Sequence, residues 1–511
     1  MGIWGFYFII KIILNYKGVL RLDIPWNIAF AFFLLLPLPR WLGKYTAARW
    51  TRGLLNLALA VLLLWHDSWF PPLMDTIAFV KQQGLPQKEY ILNFVSRYYN
   101  GWMLVAAAGL CALCIIANHY IKLVPVTIAA MMVLIPFNIY ARPDSAEMNA
   151  GIEGFYEGEA TRVINMKKPD GGNINFDIVF LHVCSLAWDD LKEVGLENHP
   201  FLKQFQYLYT DFNSVTTYSG PAMIRLLKGN CGQVPHNNIY GGMPGECYTM
   251  NVLERIGFQQ WAALNHDGVY GEFAKELTKY GHLKTAPINL AGIPANQRMF
   301  DDSPVYDDYG VLERWWKARR ESDKPAAALY YNTVTLHDGA HWATDRDWFK
   351  RDRKALYHEF TSKMLDDFGK FFTLLEKSGR NVIVIFVPEH GIALRGFTTQ
   401  APGLRDIPLP TITDVPVGVK LIGSGFNGRP LRQTIIDKPV SYLALASQLA
   451  FFIEKNPFDA DGMIPKRMLD NLPFTDHVAE NQSAKVMKSG LKYYLLAKDA
   501  RWVELQKSET E

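Results

Sequence analysis

Residues 381–391 read NVIVIFVPEHG. The run Val382–Val387 is apolar and rich in β-branched residues, and it stops abruptly at Pro388-Glu389-His390-Gly391. That is the pattern of a buried strand with polar side chains at its carboxyl end. Phe176–Val183 (FDIVFLHV), Ala326–Val334 and Val417–Ile422 have the same character. Helix-like stretches lie between these runs. Lys354–Lys377 places Leu356, Phe360, Met364, Phe368, Phe371 and Leu375 at helical spacing, and Ser441–Phe452 is a second candidate. Strands alternating with helices predict an α/β domain with a mostly parallel central sheet flanked by helices. In such sheets sites form beyond the carboxyl ends of the strands.

Moving outward towards the N-terminus, the character changes. The chain has 511 residues, enough for two or three units. Apolar runs near Ile3–Leu14, Ile24–Pro39, Gly53–Phe70, Gly101–Ala117 and Leu123–Ile139 predict a transmembrane domain over 1–141 of about five helices. A linker is expected over 142–172 and a catalytic domain over 173–511. The connector Arg40–Arg52 carries Arg40, Lys44, Arg49 and Arg52 and no acid, so it should be cytoplasmic, and the connector His66–Asn100 should lie outside. Five spans then put everything after Arg142 outside the cytoplasm. The first run decides this parity, and it is the weakest, being short and carrying Lys11. The net charge of +3, with no long basic run, argues against nucleic acid as a partner.

The residues that follow the strands carry the chemistry. Cys184 follows the first strand, and Glu389-His390 follow the Asn381 strand. Thiolate, carboxylate and imidazole are zinc ligands, and three protein ligands with an open fourth position is the catalytic pattern. Taken singly, a strand-end Cys is more often a small buried hydrophobe and a Glu-His pair a surface feature; their joint occurrence favours metal. Ser219, in Thr216-Thr217-Tyr218-Ser219-Gly220-Pro221, precedes a predicted helix over Ala222–Leu227. It is either a helix N-cap or a nucleophile set where amide groups can receive phosphate. His337 and His341 follow the Ala326 strand and are candidate proton carriers. Arg405 is a candidate phosphate fork, with Tyr218 and Arg225 as weaker neighbours of the serine. Cys231 and Cys247 flank a Gly/Pro/Asn-rich loop. Spacing alone leaves a bridge and two separate thiols about even, and the outside location tips the balance towards a disulfide.

In order and kind these pieces resemble the alkaline phosphatase superfamily: a strand-end ligand, a Ser or Thr opening a helix, then a strand ending in an acid-His-Gly motif, here with Cys184 in place of the first acid. The sulfatase pattern is not met, because Arg225 lies too far from Ser219. The strings CSLAWDD, TTYSGPAMIRLL, SPVYDD, NTVTLHDGAH, VPEHG, GLRDIP and ITDVPVGVK resemble the cellulose phosphoethanolamine transferase branch, the G proteins of the bacterial cellulose-synthesis operon. The resemblance runs from the membrane part through most of the catalytic domain and is patchy in the linker and the last fifty residues. It implies an alkaline-phosphatase-like domain in the periplasm, anchored in the bacterial inner membrane. It further implies one Zn2+ held by Cys184, Ser219, Glu389 and His390, with Ser219 as nucleophile, His337 as catalytic histidine, and Tyr218 and Arg405 in support. The implied donor is phosphatidylethanolamine, the acceptor is cellulose, and the partners are cellulose synthase subunits. The open alternatives are the same chemistry on another glycan or lipid, and a mainly structural subunit of the synthase complex.

Overall fold

A computed structural model of the chain describes residues 2–506, except 42–43, 71, 75, 78–87, 98–100, 141–144, 169–173, 425, 427–431, 459–465 and 497–501; of 135–140 only the backbone is described. Two compact units emerge. One comprises Met1–Gly84, Phe94–Pro143 and Phe397–Ala401, and the other Leu85–Asn93, Asp144–Gly396 and Pro402–Glu511.

The second unit is built on a seven-stranded sheet. Its strands are β1 (Phe176–Val183), β2 (Tyr207–Tyr209), β3 (Gln259–Leu264), β6 (Ala327–Thr333), β8 (Asn381–Pro388), β9 (Val417–Ile422) and β10 (Thr434–Ile436), in the order β10-β2-β9-β8-β1-β6-β3. Strands β4 (Gln297–Arg298), β5 (Pro304–Val305) and β7 (His341–Trp342) form a small separate sheet. In the main sheet β1 pairs in parallel with β6 and β8, β3 with β6, and β10 with β2; only β9 runs antiparallel to its neighbours. The four strands expected from the sequence are thus present within a residue or so of their expected ends. Strands β2, β3 and β10 were not anticipated.

Side chains on β1 alternate between two cores, as the pleat requires. Ile178 and Phe180 face a core shared with the helices Ser219–Leu227, Thr249–Ile256 and Tyr442–Lys455. Val179, Leu181 and Val183 face the other, built with Asp308–Glu321 and Arg353–Lys377. Helices therefore cover both faces, which explains why the strands read as continuous apolar runs. At the amino end of β1, buried Asp177 accepts from Arg319 (Nη2, 2.9 Å), Arg380 (Nε, 2.5 Å) and the Ala327 amide (2.8 Å). These bonds tie β1, β6 and β8 together at the end opposite the site.

The expected linker needs correction. Residues 142–144 and 169–172 of it lie outside the described residues, but Ser145–Ala160 is a helix. Its Met148 and Ile152 pack on Val478, Met487 and Trp502 of a four-stranded antiparallel sheet formed by β11 (Val478–Glu480), β12 (Lys485–Ser489), β13 (Lys492–Leu496) and β14 (Trp502–Glu504). Tyr156 donates to Glu480 Oε2 at 2.5 Å. The helix takes its order from this packing, which is why its Gly- and Glu-rich sequence has no clear periodicity of its own.

In the first unit the apolar runs are helices: Gly2–Tyr16, Ile24–Leu35, Thr46–Asp67, Gly101–Tyr120 and Leu123–Tyr140. Among the described residues, Thr46–Asp67 and Gly101–Tyr120 are long and apolar enough to cross a membrane, and the others are shorter apolar helices. Lys11, the charge that weakened the first run, is fully buried against Asp67 Oδ2 (2.6 Å) and Asn27 Oδ1 (2.7 Å). The loop after the first helix meets the end of the third, with Arg21 N–H on Asp67 C=O at 2.8 Å and Trp69 Nε1 on Gly18 C=O at 2.9 Å.

Candidate active site at the strand ends

Register builds the site. Val183 pairs with Pro388 on one side and Thr333 on the other, so β8, β1 and β6 end at one level. The next residue of each chain segment is then set by a backbone bond: Cys184 N–H to Thr333 C=O (3.0 Å), Glu389 N–H to Val183 C=O (2.8 Å), and Leu186 N–H to His390 C=O (2.6 Å). One ligand atom each of Cys184, Glu389 and His390 lies within 4.8 Å of the others, and all three residues are fully buried. Gly391 is required by close approach, because a Cβ there would meet Asp190 Oδ2 at 2.5 Å. Asp190 in turn accepts the amides of Ile392 (2.8 Å) and Leu394 (3.0 Å), pinning the chain that follows His390.

Ser219 arrives from a different direction, at the first position of the helix Ser219–Leu227. The helix starts three residues earlier than its apolar pattern predicts, which puts the hydroxyl at the amide-rich end. Its Oγ lies 3.4 Å from Cys184 Sγ. Four residues upstream Val215 has φ +71°, a strained setting for a β-branched side chain. Bonds from its amide to Asn213 Oδ1 (2.8 Å) and from the Glu480 amide to its carbonyl (2.7 Å) hold it there. Asn481 then ties this loop to the Arg405 loop. It accepts from Thr216 Oγ1 (2.9 Å) and the Thr217 amide (3.2 Å), and donates to the carbonyls of Arg405 (3.1 Å) and Asp406 (3.0 Å).

The electrostatics fit a cation at the centre. Burial, and then Glu389, push the Cys184 thiol up to about 12. Burial also raises Glu389. Two acidic groups held this close in a dry pocket disfavour each other's charged forms unless a positive charge joins them. Burial, and then Arg405, hold His390 well below its ordinary value, so it is the neutral imidazole that ligation needs. Glu389 Oε1 accepts from Asn332 Nδ2 at 2.6 Å, while buried Oε2 has no hydrogen-bond partner among the described residues. Two separations, Cys184 Sγ–Ser219 Oγ of 3.4 Å and His390 Nε2–Glu389 Oε2 of 3.7 Å, are of the size that ligands about 2.0–2.3 Å from one ion would show, and the ligand atoms of Cys184, Glu389 and His390 all lie within 4.8 Å of one another. The residues present therefore fit such an ion.

Arg405 overhangs the cluster. Its Nη1 lies 3.1 Å from His390 Nδ1 and 3.4 Å from Ser185 Oγ. Burial works against its charge, but Cys184 and Tyr218 more than offset this and hold it protonated. Tyr218 lies under the guanidinium, 5.9 Å from its ring centroid, and its hydroxyl donates to Asp406 Oδ1 at 2.8 Å. His337 stands in an aromatic wall, stacked on Phe300 (5.5 Å) and edge-on to Tyr270 (6.2 Å). Burial, and then Arg405, lower it to about 4. Its Nδ1 is 2.9 Å from the Asp338 carbonyl, which can only accept, so Nδ1 carries the hydrogen and Nε2 the lone pair.

Six of the expected residues thus come together: Cys184, Ser219, Tyr218, Glu389, His390 and Arg405. His337 faces the same cationic Arg405. His341 lies elsewhere, stacked on Trp348 at 4.5 Å. Arg225 points away from Ser219, donating to the Val234 carbonyl at 3.0 Å. Asn332, Asn481, Asp190 and His182 were missed. His182 alternates inward on an apolar strand, with Nδ1 on the Tyr330 hydroxyl at 2.9 Å, and nothing local marks it. The Cys231–Cys247 bridge is present, with the Cα atoms 5.0 Å apart.

A family model described as cellulose biosynthesis protein BcsG C-terminal domain matches residues 138–502, and one described as cellulose biosynthesis protein BcsG N-terminal domain matches residues 4–136. The chain is similar to the cellulose biosynthesis protein BcsG of Escherichia coli (strain K12), at 32% identity, and to that of Salmonella typhimurium (strain LT2), at 33%. Each match covers 98% of this chain and 95% of the relative. Among solved structures it is similar to the zinc complex of the C-terminal periplasmic domain of EcEptC from Escherichia coli, at 14% identity and a TM-score of 0.46, covering 63% of this chain and 93% of that one.

Proposed function

The chain belongs to the family of cellulose biosynthesis protein BcsG, and from that premise we propose that it is a zinc-dependent phosphoethanolamine transferase. It takes phosphoethanolamine from phosphatidylethanolamine and places it on the 6-hydroxyl of glucose units in cellulose, through a covalent intermediate on Ser219. The observation that carries this reading is the approach of Ser219 Oγ to 3.4 Å from Cys184 Sγ, beside the buried Glu389 and His390. A serine at a helix start needs activation to become a nucleophile, and here the activating set lies within reach.

Cys184, Glu389, His390 and Ser219 would hold the ion. When bound, zinc lowers the pKa of a coordinated hydroxyl and offsets phosphoryl charge, and the lone thiolate favours zinc over harder metals. In the first half-reaction Ser219 Oγ bonds to phosphorus and the bond to the diacylglycerol oxygen breaks. The proton that Ser219 Oγ gives up is returned through solvent to the leaving oxygen, and diacylglycerol departs. Arg405 spans the phosphoryl oxygens as a planar fork, and the amides at the Ser219 helix start face the same charge. In the second half-reaction the cellulose hydroxyl bonds to phosphorus and the Ser219 oxygen leaves. Neutral His337 accepts the hydroxyl proton on Nε2 and returns it to the departing Ser219 oxygen, which restores both groups. Tyr218, tied to Asp406, steadies the arginine and the loop.

An inner-membrane location with a periplasmic catalytic unit suits this chemistry, because it keeps the site beside a lipid donor. Three features support it: the basic connector Arg40–Arg52, the Cys231–Cys247 bridge, and the grouping of Leu85–Asn93, from the connector expected outside, with the catalytic unit. Other subunits of the cellulose synthase complex in that membrane are the expected partners. The test is mass spectrometry of the full-length protein after incubation with phosphatidylethanolamine. A phosphoethanolamine adduct on the peptide holding Ser219, absent in Ser219→Ala, with about one zinc per chain, is the expected result. A metal-free chain or an adduct that survives in Ser219→Ala would refute the assignment.

A further inference from the structure

The short helix Lys88–Ser96 lies in the connector between Thr46–Asp67 and Gly101–Tyr120, far in sequence from every strand of the catalytic sheet. It nevertheless belongs to the catalytic unit through Leu85–Asn93. It has nine residues and buries none of them fully, so it is too short to be stable alone and is held by what it touches. Two residues one turn apart make those contacts. Asn93 Nδ2 donates to the Phe349 carbonyl at 3.0 Å. Tyr90 donates through its hydroxyl to Asp338 Oδ2 at 3.0 Å.

Tyr90 touches every residue of a catalytic tripeptide or its support. Its ring packs on Phe300 with centroids 5.2 Å apart, and Phe300 is the ring on which His337 stacks. Its hydroxyl binds Asp338, whose own carbonyl fixes the tautomer of His337 and whose other carboxylate oxygen takes Arg353 Nε at 3.0 Å. Its ring edge lies on Gly339, where a Cβ would meet Tyr90 Cδ2 and Cε2 at 2.9 Å. Gly339 has φ +81°, so the loop both needs a glycine and presents a flat backbone for the ring to cover.

We infer that Tyr90 is a positioning residue for His337: the connector between two membrane helices completes the active site by clamping the loop His337-Asp338-Gly339. This rests on the transfer reading, in which His337 serves the second half-reaction. Loss of the clamp should then weigh most on the second half-reaction, because the hydroxyl bond and the ring contact of Tyr90 fall on Asp338 and Phe300, the two groups that flank His337.

The test uses full-length wild type, Tyr90→Ala and Tyr90→Phe in detergent, with phosphatidylethanolamine as donor and a soluble cello-oligosaccharide as acceptor. In Tyr90→Ala the rate of serine adduct formation should stay within about twofold of wild type, while transfer to the acceptor falls about tenfold or more, so that adduct accumulates. Tyr90→Phe keeps the ring on Gly339 and Phe300 and loses only the hydroxyl bond, so its transfer rate should lie between the two. Amide exchange over 335–341 should quicken in Tyr90→Ala, a readout that needs no turnover. Unchanged transfer, an equal fall in both half-reactions, or unchanged exchange would each overturn the inference. If wild type itself forms no serine adduct the transfer reading has failed, and exchange alone then decides whether Tyr90 clamps the loop.

Discussion

Asn332 offers the sharpest test of the metal centre, because it makes no contact with substrate in the scheme above. It sits near the end of β6, opposite His182 of β1. Its Nδ2 donates to Glu389 Oε1 at 2.6 Å and to the His182 carbonyl at 3.2 Å, and its Oδ1 faces His266 Nε2 at 3.0 Å. With Oε1 occupied in this way, Oε2 is the free face of the carboxylate. Asn332→Leu keeps most of the side-chain volume and removes the donor. A hydrogen bond to a charged group contributes about 1.5–3 kcal/mol. At about 1.4 kcal/mol per tenfold, the loss corresponds to a fall in zinc affinity of roughly tenfold to a hundredfold, the range found for groups that orient metal ligands. The assay is zinc binding to the purified full-length chain at buffered free zinc, with thermal unfolding of the metal-stripped protein as the control for folding. Asn332→Gln retains a donor and should recover part of the affinity. A folded Asn332→Leu variant that binds zinc as tightly as wild type would refute the claim that Glu389 is held in place for a metal.

Two further outcomes are expected. Reducing the Cys231–Cys247 bridge, or replacing both cysteines by serine, should destabilise the catalytic unit by about 3 kcal/mol, the closure entropy of a loop of that size; unfolding with and without reductant measures it, and an unchanged midpoint would count against the bridge. His477, buried beside Thr413 and Tyr493, is lowered to about 3 by burial and then by Lys488. Its folded value lies below its unfolded one, so its contribution is complete above about pH 6.5 and is lost as pH falls towards 3. The stability advantage of wild type over His477→Gln should therefore shrink on acidification, by at most about 1.4 kcal/mol per pH unit. A gap independent of pH between about pH 7 and about pH 4.5 would show that the imidazole is not buried in its neutral form.

Much of this molecule was legible because strands buried on both faces announce themselves. NVIVIFVPEHG and FDIVFLHV needed no tertiary knowledge, and the parallel-sheet rule then pointed to Cys184, Glu389 and His390. Strands β2 and β10 have three residues each and β3 reads QQWAAL, so none shows a pattern that survives without the neighbours it pairs with. The helix Ser145–Ala160 was hidden for the same reason, since its order comes from the C-terminal sheet. Asn332, Asn481 and Tyr90 were illegible in a deeper sense. Each acts through partners more than fifty residues away in sequence, Glu389, Arg405 and Asp338, and nothing in the sequence around them marks such a role. Lys11 was legible as a difficulty, and its resolution by Asp67 was not.

Asn481 follows every other residue of the candidate site in sequence. A polypeptide made from its amino terminus therefore possesses Cys184, Ser219, Glu389, His390 and Arg405 before it possesses the side chain that binds the Ser219 loop to the Arg405 loop. Until the final sheet has been synthesised and has closed over it, Ser219 lacks its fixed bearing on Arg405. On the proposed transfer chemistry such a chain would be silent while incomplete, since an unfinished or clipped copy would lack a competent site with which to attack its donor.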